Sequence, residues 1–278
     1  MGSTRPERAL GSIVTYAVLG LGGIAMVFPM VWMFVSSLKT ITEITHVPPV
    51  FFPERANWSN YAKVATAIPF LRMYVNSLII TAVATSSTLF FAALGGYTFS
   101  KIEFPGRNVV FVLVIATMLV PFSIIVVPLY LLVASLGLVD TYAGILLPSL
   151  MSAFGIFMVR QFSASIPNEL LDVSRIDGCR EFTIFSRVVF PLLGPCLGAL
   201  AVFTFMWDWN AFLWPMLIAN SPRRMTVPVG LAMLVGEFSS ESHLIMAGAS
   251  LAIAPVLIVF LFAQRQIIEG ITLTGLKA

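Results

Sequence analysis

Between Arg72 and Lys101 the chain reads MYVNSLIITAVATSSTLFFAALGGYTFS (residues 73–100), 28 consecutive positions without Asp, Glu, Lys or Arg. An α-helix needs about 20 predominantly apolar residues to cross the hydrocarbon core of a bilayer. Five more runs have this character: 30 residues between Arg8 and Lys39, 32 between Arg107 and Asp140, 19 between Asp140 and Arg160, 20 between Arg187 and Asp208, and 23 between Glu241 and Arg265. The expected spans are 12–36, 74–98, 109–133, 142–160, 188–207 and 244–263. Barrel strands would alternate in short segments, and these runs do not. The fold class read from them is an all-α membrane protein with six transmembrane helices in one domain.

Composition agrees. Only 29 of 278 residues are charged, 10%, against 58% hydrophobic, and the mean hydropathy is +0.95. Soluble domains carry about 25% charged residues, so a water-soluble monomer is excluded, as is disorder. The net charge of +3 is small and scattered, which argues against nucleic acid. Cys179 and Cys196 make no disulfide framework. The first run follows Arg5 and Arg8 as a signal peptide would, but it is about twice a signal core in length and no small-residue cleavage site follows. It reads as a retained helix. A 12-residue uncharged run between Arg224 and Glu237 is too short to span and reads as interfacial or re-entrant.

With six spans both termini share a side. Lys and Arg in the flanks number ten on that side and six on the other, which places both termini and the 161–187 loop in the cytoplasm. The spans hold essentially no ionisable residue, so no internal proton relay is evident; Asp208 and His243 fall at span ends and read as solvated interface. A P-loop needs G-x-x-x-x-G-K-S/T. The four lysines, Lys39, Lys63, Lys101 and Lys277, each follow a residue other than glycine. Neither G-x-S-x-G nor H-E-x-x-H occurs. If ATP drives this chain, the motor is another subunit.

The loop ends in SIPNELLDVSRIDGCREFTIFSRVVFP (165–191). Ser165 reads as an N-cap, with Pro167 in the next turn. Ile166, Leu170, Val173 and Ile176 recur as an apolar stripe, and Gly178 interrupts the helix, either as a positive-φ cap or as a place of close approach. A second short helix with Phe182, Phe185 and Val189 runs to Pro191. Such a pair is either a connector on the membrane surface or a helix laid into a partner's groove; periodicity leaves both open.

This segment resembles the EAA loop of permeases of bacterial ABC importers, whose pattern is roughly E-A-A-x-x-D-G-A with an I-x-L-P-type ending. Asp172-Val173-Ser174 stand where E-A-A would be, Ile176-Asp177-Gly178 match the centre, and Val188-Val189-Phe190-Pro191-Leu192 match the ending. Elements similar to carbohydrate-type permeases, particularly those like the second maltose-system permease, run through the chain: Phe51-Phe52-Pro53 with Trp58-Ser59-Asn60-Tyr61, Asn76-Ser77, Phe104-Pro105-Gly106-Arg107, Trp209-Asn210-Ala211-Phe212-Leu213-Trp214-Pro215, and the 264–277 tail.

The resemblance implies an ABC importer type I permease in the bacterial inner membrane. Its expected partners are a second homologous permease, two ATP-binding subunits, an extracytoplasmic substrate-binding protein and the lipid bilayer. This chain would bind no cofactor or metal and perform no catalysis; ATP and Mg belong on the ATPase. The implied ATPase-coupling residues are Glu169, Asp172, Val173, Ser174, Ile176, Asp177, Gly178, Phe182 and Pro191. Asp177 either pairs locally with Arg175 or Arg180 or meets the ATPase. The tail of residues 264–278, through Gln264, Arg265, Gly270, Thr272 and Gly275, either touches the ATPases or frays; Gly270, Thr272 and Thr274 argue against a long helix there. Asn76, Trp209, Asn210 and Trp214 are candidates for a sugar path, with an aromatic belt as the other reading of the two Trp. Arg223 and Arg224 either attract an anion or form a solvated loop. The solute is a sugar or, alternatively, a glycerol phosphate ester or another polar solute. A self-sufficient secondary transporter and an intramembrane enzyme are the competing classes.

Overall fold

The computed structural model describes the backbone of residues 5–275 and the side chains of residues 12–264. Among these residues every regular element is helical. Three helices are long and apolar enough to cross a bilayer: Ser12–Ser37 within Arg5–Ser37, Phe70–Lys101, and Ser242–Gln264 within Ser242–Gly275. Three further candidates are broken. Arg107–Leu119 and Phe122–Ser135 meet at 100°, Tyr142–Ser149 and Ala153–Ala164 at 41°, and Glu181–Leu192 and Gly194–Trp209 at 75°. Among the described residues there are thus three candidate spans, or up to six if each bent pair crosses as one.

The spans expected at 109–133, 142–160 and 188–207 fall on these bent helix pairs rather than on single helices, because a charge count is blind to proline. Pro121 has no N–H to donate and pushes Val120 out of the helical region, to φ −84 and ψ 113. Pro148 sits in the 3₁₀ turn Leu147–Ser149. At that break the Ser149 and Leu150 carbonyls accept from Thr88 Oγ1 at 3.0 Å and Ser87 Oγ at 2.8 Å, so the freed backbone groups stay satisfied, as an apolar surround requires. Pro195 opens Gly194–Trp209. The 12-residue run forms the helix Val227–Glu237, 11 residues, too short to span.

Contacts divide the chain into two compact units, Met1–Ile68 with Leu231–Ile253, and Pro69–Gly230 with Ala254–Ala278. In the second, Phe70–Lys101 packs on Ala153–Ala164 and on Gly194–Trp209. Small residues set the approach: a Cβ on Gly96 would lie 2.6 Å from the Val159 Cβ and 2.7 Å from the Arg160 N. Packing of this kind, rather than hydrophobic exclusion, joins helices in lipid. Gly96→Leu should therefore lower the melting temperature of the purified chain, by an overpacking cost of about 1–3 kcal/mol. Gly20→Ala, where nothing lies within 4 Å, should not; equal melting of the two would contradict this packing.

In the first unit the Trp58-Ser59-Asn60-Tyr61 stretch closes the end of Arg5–Ser37. Buried Asn60 donates from Nδ2 to the Ser37 and Lys39 carbonyls at 2.8 and 2.9 Å, groups a helix end leaves without partners. Ser37 Oγ and Tyr61 Oη lie 2.6 Å apart. Thr40 and Glu43 form a capping box at the start of Ile41–Thr45.

Three expectations are corrected. Asp208 and His243 are buried, not solvated, a tertiary property that a linear count of charges cannot register. The backbone beyond Gln264 continues helical to Gly275: each added residue of an existing helix gains a hydrogen bond, which offsets a glycine cost of about 1 kcal/mol.

Candidate functional site

The 165–191 segment folds as two short helices. The first is Asn168–Ile176. Ser165 does not cap it; its N–H and Oγ turn back to the Phe162 carbonyl and end Ala153–Ala164. Pro167 instead holds the N-cap, extended at φ −59 and ψ 136, where a missing N–H costs nothing. Glu169 stands in the first turn and Arg175 in the last, matching the helix dipole. The helix ends in a Schellman motif: Gly178 N–H donates to the Arg175 carbonyl and Cys179 N–H to the Ser174 carbonyl, both at 3.0 Å. Gly178 has φ +79 and nothing within 4 Å of an added Cβ. Backbone conformation, not crowding within this chain, is what requires glycine.

One face of this helix is fastened down. Leu171 is 1% exposed and, with Ile166, joins a core of Tyr97, Ile184, Phe185, Val189 and Cys196. Lys101 Nζ donates to the Ile166 carbonyl at 2.6 Å and to Asn168 Oδ1 at 2.7 Å. Arg175 binds Asp172 at 2.9 Å and Glu181 at 2.8 Å, and Tyr97 Oη donates to Glu181 Oε2 at 2.9 Å. Arg175 thus pairs with Asp172 and Glu181 rather than with Asp177, which caps the helix through its backbone and stands exposed. The other face is open: Leu170, Val173 and Ile176 are 46, 58 and 85% exposed, and Phe182 69%. The expected four-residue stripe is therefore split, with Ile166 inward and the rest outward.

Hydrogen bonds from Arg175, then from Tyr97, hold the Glu181 carboxyl below its usual range against the effect of burial. A depressed carboxyl stabilises above its unfolded pKa, and that contribution disappears as pH falls through the lowered folded value. Near neutrality Glu181 is ionised. Its half-exposed pairing contributes about 0–1 kcal/mol, so Glu181→Gln should leave the chain folded at pH 7. It should loosen the joint, seen as faster hydrogen exchange at 168–181; unchanged exchange would contradict the brace.

The second helix starts at Glu181–Ile184 and widens to a π turn over Phe185–Val189 before Phe190–Leu192. Pro191 cannot donate to the carbonyl four residues back, which favours such a widening. The chain then bends into Gly194–Trp209.

The four candidates for a solute path are differently placed. Asn76 is buried, and Nδ2 donates to the Arg223 and Met225 carbonyls at 3.0 and 2.8 Å while Oδ1 accepts from Tyr142 Oη at 2.6 Å. Both amide donors and the amide oxygen are thus engaged, and the side chain acts as a brace. Trp209 is buried against Tyr74 and Phe205. Trp214 is buried and donates from Nε1 to the Gly144 and Ile145 carbonyls, each at 3.1 Å. Neither Trp stands in an exposed belt. Asn210 is exposed and donates from Nδ2 to the Met206 carbonyl at 2.7 Å. Arg224 lies over the Tyr142 ring at 4.4 Å. In the tail, Gln264 is exposed and bonds the Leu261 carbonyl; the side chains of Arg265, Gly270, Thr272 and Gly275 lie outside the described residues. Sequence reading missed the links from Tyr97 to Glu181 and from Lys101 to Ile166, which span 84 and 65 residues and leave no local pattern.

Residues 89–272 match the family model of the binding-protein-dependent transport system inner membrane component. The chain is 36% identical over 253 residues, 90% of either chain, to the arabinooligosaccharides transport system permease protein AraQ of Bacillus subtilis (strain 168). It is 33% identical over 267 residues to the lactose transport system permease protein LacG of Rhizobium radiobacter, covering 96% of this chain and 97% of that one. Its fold matches, with a TM-score of 0.82 and 25% identity, a chain in the crystal structure of a bacterial ABC transporter involved in the import of the acidic polysaccharide alginate, over 95% of this chain and 99% of the other.

Proposed function

Because the chain belongs to the family of binding-protein-dependent transport system inner membrane components, we propose that it forms half of the translocation path of an ATP-driven sugar importer and docks on an ATP-binding subunit through residues 168–182. It is a multi-pass inner-membrane protein and one part of a multi-subunit transporter. The proposed remainder is a second homologous permease, two ATP-binding subunits that hold ATP and Mg, and an extracytoplasmic binding protein. Both termini face the cytoplasm in this reading.

One observation carries the docking role. Leu170, Val173 and Ile176 make an exposed apolar ridge on a helix whose opposite face is pinned by Leu171, Lys101 and the Arg175–Glu181–Tyr97 chain, and Phe182 is exposed at the start of the next helix. A loose connector would need no such brace. A docking element does, because a push on it must reach the spans rather than dissipate in the loop. Here the path is short: Tyr97 and Lys101 belong to Phe70–Lys101, and Leu193 leads directly into Gly194–Trp209, which packs on the same helix.

The test is uptake into vesicles carrying this chain, its partner permease and the ATP-binding subunits, supplied with the cognate binding protein. ATP-dependent sugar import that stops when the ATP-binding subunits are left out supports the proposal. Gradient-driven transport by this chain alone would refute it in favour of a secondary transporter.

A further inference from the structure

Beside the docking helix the second unit holds an open pocket of about 500 Å³, lined among others by Lys101, Glu103, Arg107, Asp172, Arg175 and Glu181. That is the size of a small-molecule site, and all six side chains are half-buried or exposed, within reach of a ligand. Three are cations and three are acids, but they are unevenly used. Arg175 is paired with both Asp172 and Glu181. Among the described residues Lys101, Arg107 and Glu103 form no ion pair. Lys101 uses two of its three donors on neutral oxygens, the Ile166 carbonyl and Asn168 Oδ1. Arg107 donates to the Ile102 carbonyl at 3.3 Å.

The pocket lies where the chain meets the membrane surface. Lys101 ends the span Phe70–Lys101 and Arg107 opens Arg107–Ala116. Glu103 and Arg107 also line an adjoining hollow with Asn108 and Val109. From there Val109, Val112 and Leu113, spaced to share one face of their helix, are all exposed. A charged pocket thus continues into an apolar stripe on a helix that enters the bilayer, the layout a headgroup with attached acyl chains needs. Basic pockets at cytoplasmic helix ends take phospholipid headgroups. Glu103 narrows the choice: it repels a purely anionic headgroup and accepts from one that carries its own N–H donors.

We propose that this pocket seats a phosphatidylethanolamine molecule of the cytoplasmic leaflet. Its phosphate accepts from Lys101 and Arg107, its ammonium donates to Glu103, and its acyl chains lie along Val109, Val112 and Leu113. The lipid then stands against Asp172, Arg175 and Glu181 and steadies the docking helix from the membrane side. A choline headgroup has no N–H to donate, and a glycerol headgroup has no positive charge. The proposal rests on the cytoplasmic placement of the docking loop proposed above.

Native mass spectrometry of the delipidated, assembled importer tests it, by titration with phosphatidylethanolamine, phosphatidylcholine or phosphatidylglycerol of the same acyl chains. The wild type should retain phosphatidylethanolamine in preference to the other two. Arg107→Gln should weaken that binding about ten-fold, as loss of one charge-assisted hydrogen bond does. Glu103→Gln should erase the preference while phosphatidylglycerol binds as well as before or better. Assembly of each variant is checked by gel filtration. Equal retention of the three lipids by the wild type, or a preference that survives both substitutions, overturns the site. So does a preference shown by the isolated chain and lost in the assembled importer, which would give the pocket to a segment of the ATP-binding subunit. Lipid binding is read without transport: ATP-driven import without the preference removes this site alone, and the preference without ATP-driven import removes the transport reading alone.

Discussion

Gly178→Val should cut ATP-driven uptake at least ten-fold while the importer stays assembled. At φ +79 a non-glycine residue costs about 1–2 kcal/mol, and a β-branched one lies at the unfavourable extreme. Relaxing that φ breaks the two bonds that close the helix, from Gly178 to Arg175 and from Cys179 to Ser174, each contributing about 0.5–1.5 kcal/mol. Together these exceed what the last turn of a nine-residue helix can absorb. The damage falls on Ile176 and Asp177 and leaves the core beneath Leu171 in place. Gly178→Asn, which tolerates the left-handed region, should retain most uptake. Purification of the whole complex with normal uptake by the valine variant would contradict the proposal. Loss by the asparagine variant equal to that of valine would show that side-chain bulk, not φ, matters.

Ile176→Asp should release the ATP-binding subunits. Ile176 is among the most exposed apolar side chains of the loop, so the isolated chain should lose within about 0.5 kcal/mol of stability, as surface positions do. In a docked interface the same change removes an apolar anchor, at about 1.5–3 kcal/mol, and buries an unpaired charge, which costs several kcal/mol more. The affinity for the ATP-binding subunit should fall 100-fold or more, read as loss of co-purification. Leu171→Ala is the contrast: it lies under the helix, so its cost, about 2–5 kcal/mol, should appear as a lower melting temperature of the chain itself. Unchanged co-purification of the Ile176 variant would move the docking face elsewhere.

The spans with uninterrupted apolar length were legible because length and charge alone define them: 74–98 lies within Phe70–Lys101 and 244–263 within Ser242–Gln264. The breaks at Pro121, Pro148 and Pro195 were visible as residues, but their bend angles depend on what packs around the freed carbonyls. Gly178 was legible as a helix interruption, but whether it served as a cap or as a place of close approach was decided only by its φ of +79 and the bonds that close the helix. Asp177 was not legible, because three acids compete for Arg175 and only geometry decides among them. Asn76 and Trp214 had the right chemistry for a sugar, yet their polar atoms meet backbone carbonyls from segments about 70 to 150 residues away, which nothing local reveals. Asp208 was misread for a similar reason. At the end of an apolar run it looks solvated, whereas the fold buries it and leaves Oδ2 without a partner.

The central claim is that the Leu170–Val173–Ile176 ridge is the surface that meets the motor. A photo-crosslinking amino acid placed at Val173, in the assembled importer in its native membrane, tests it most directly. The account predicts an adduct of this chain with one ATP-binding subunit, changing in yield when ATP is added. Adducts with lipid or the partner permease alone would contradict it.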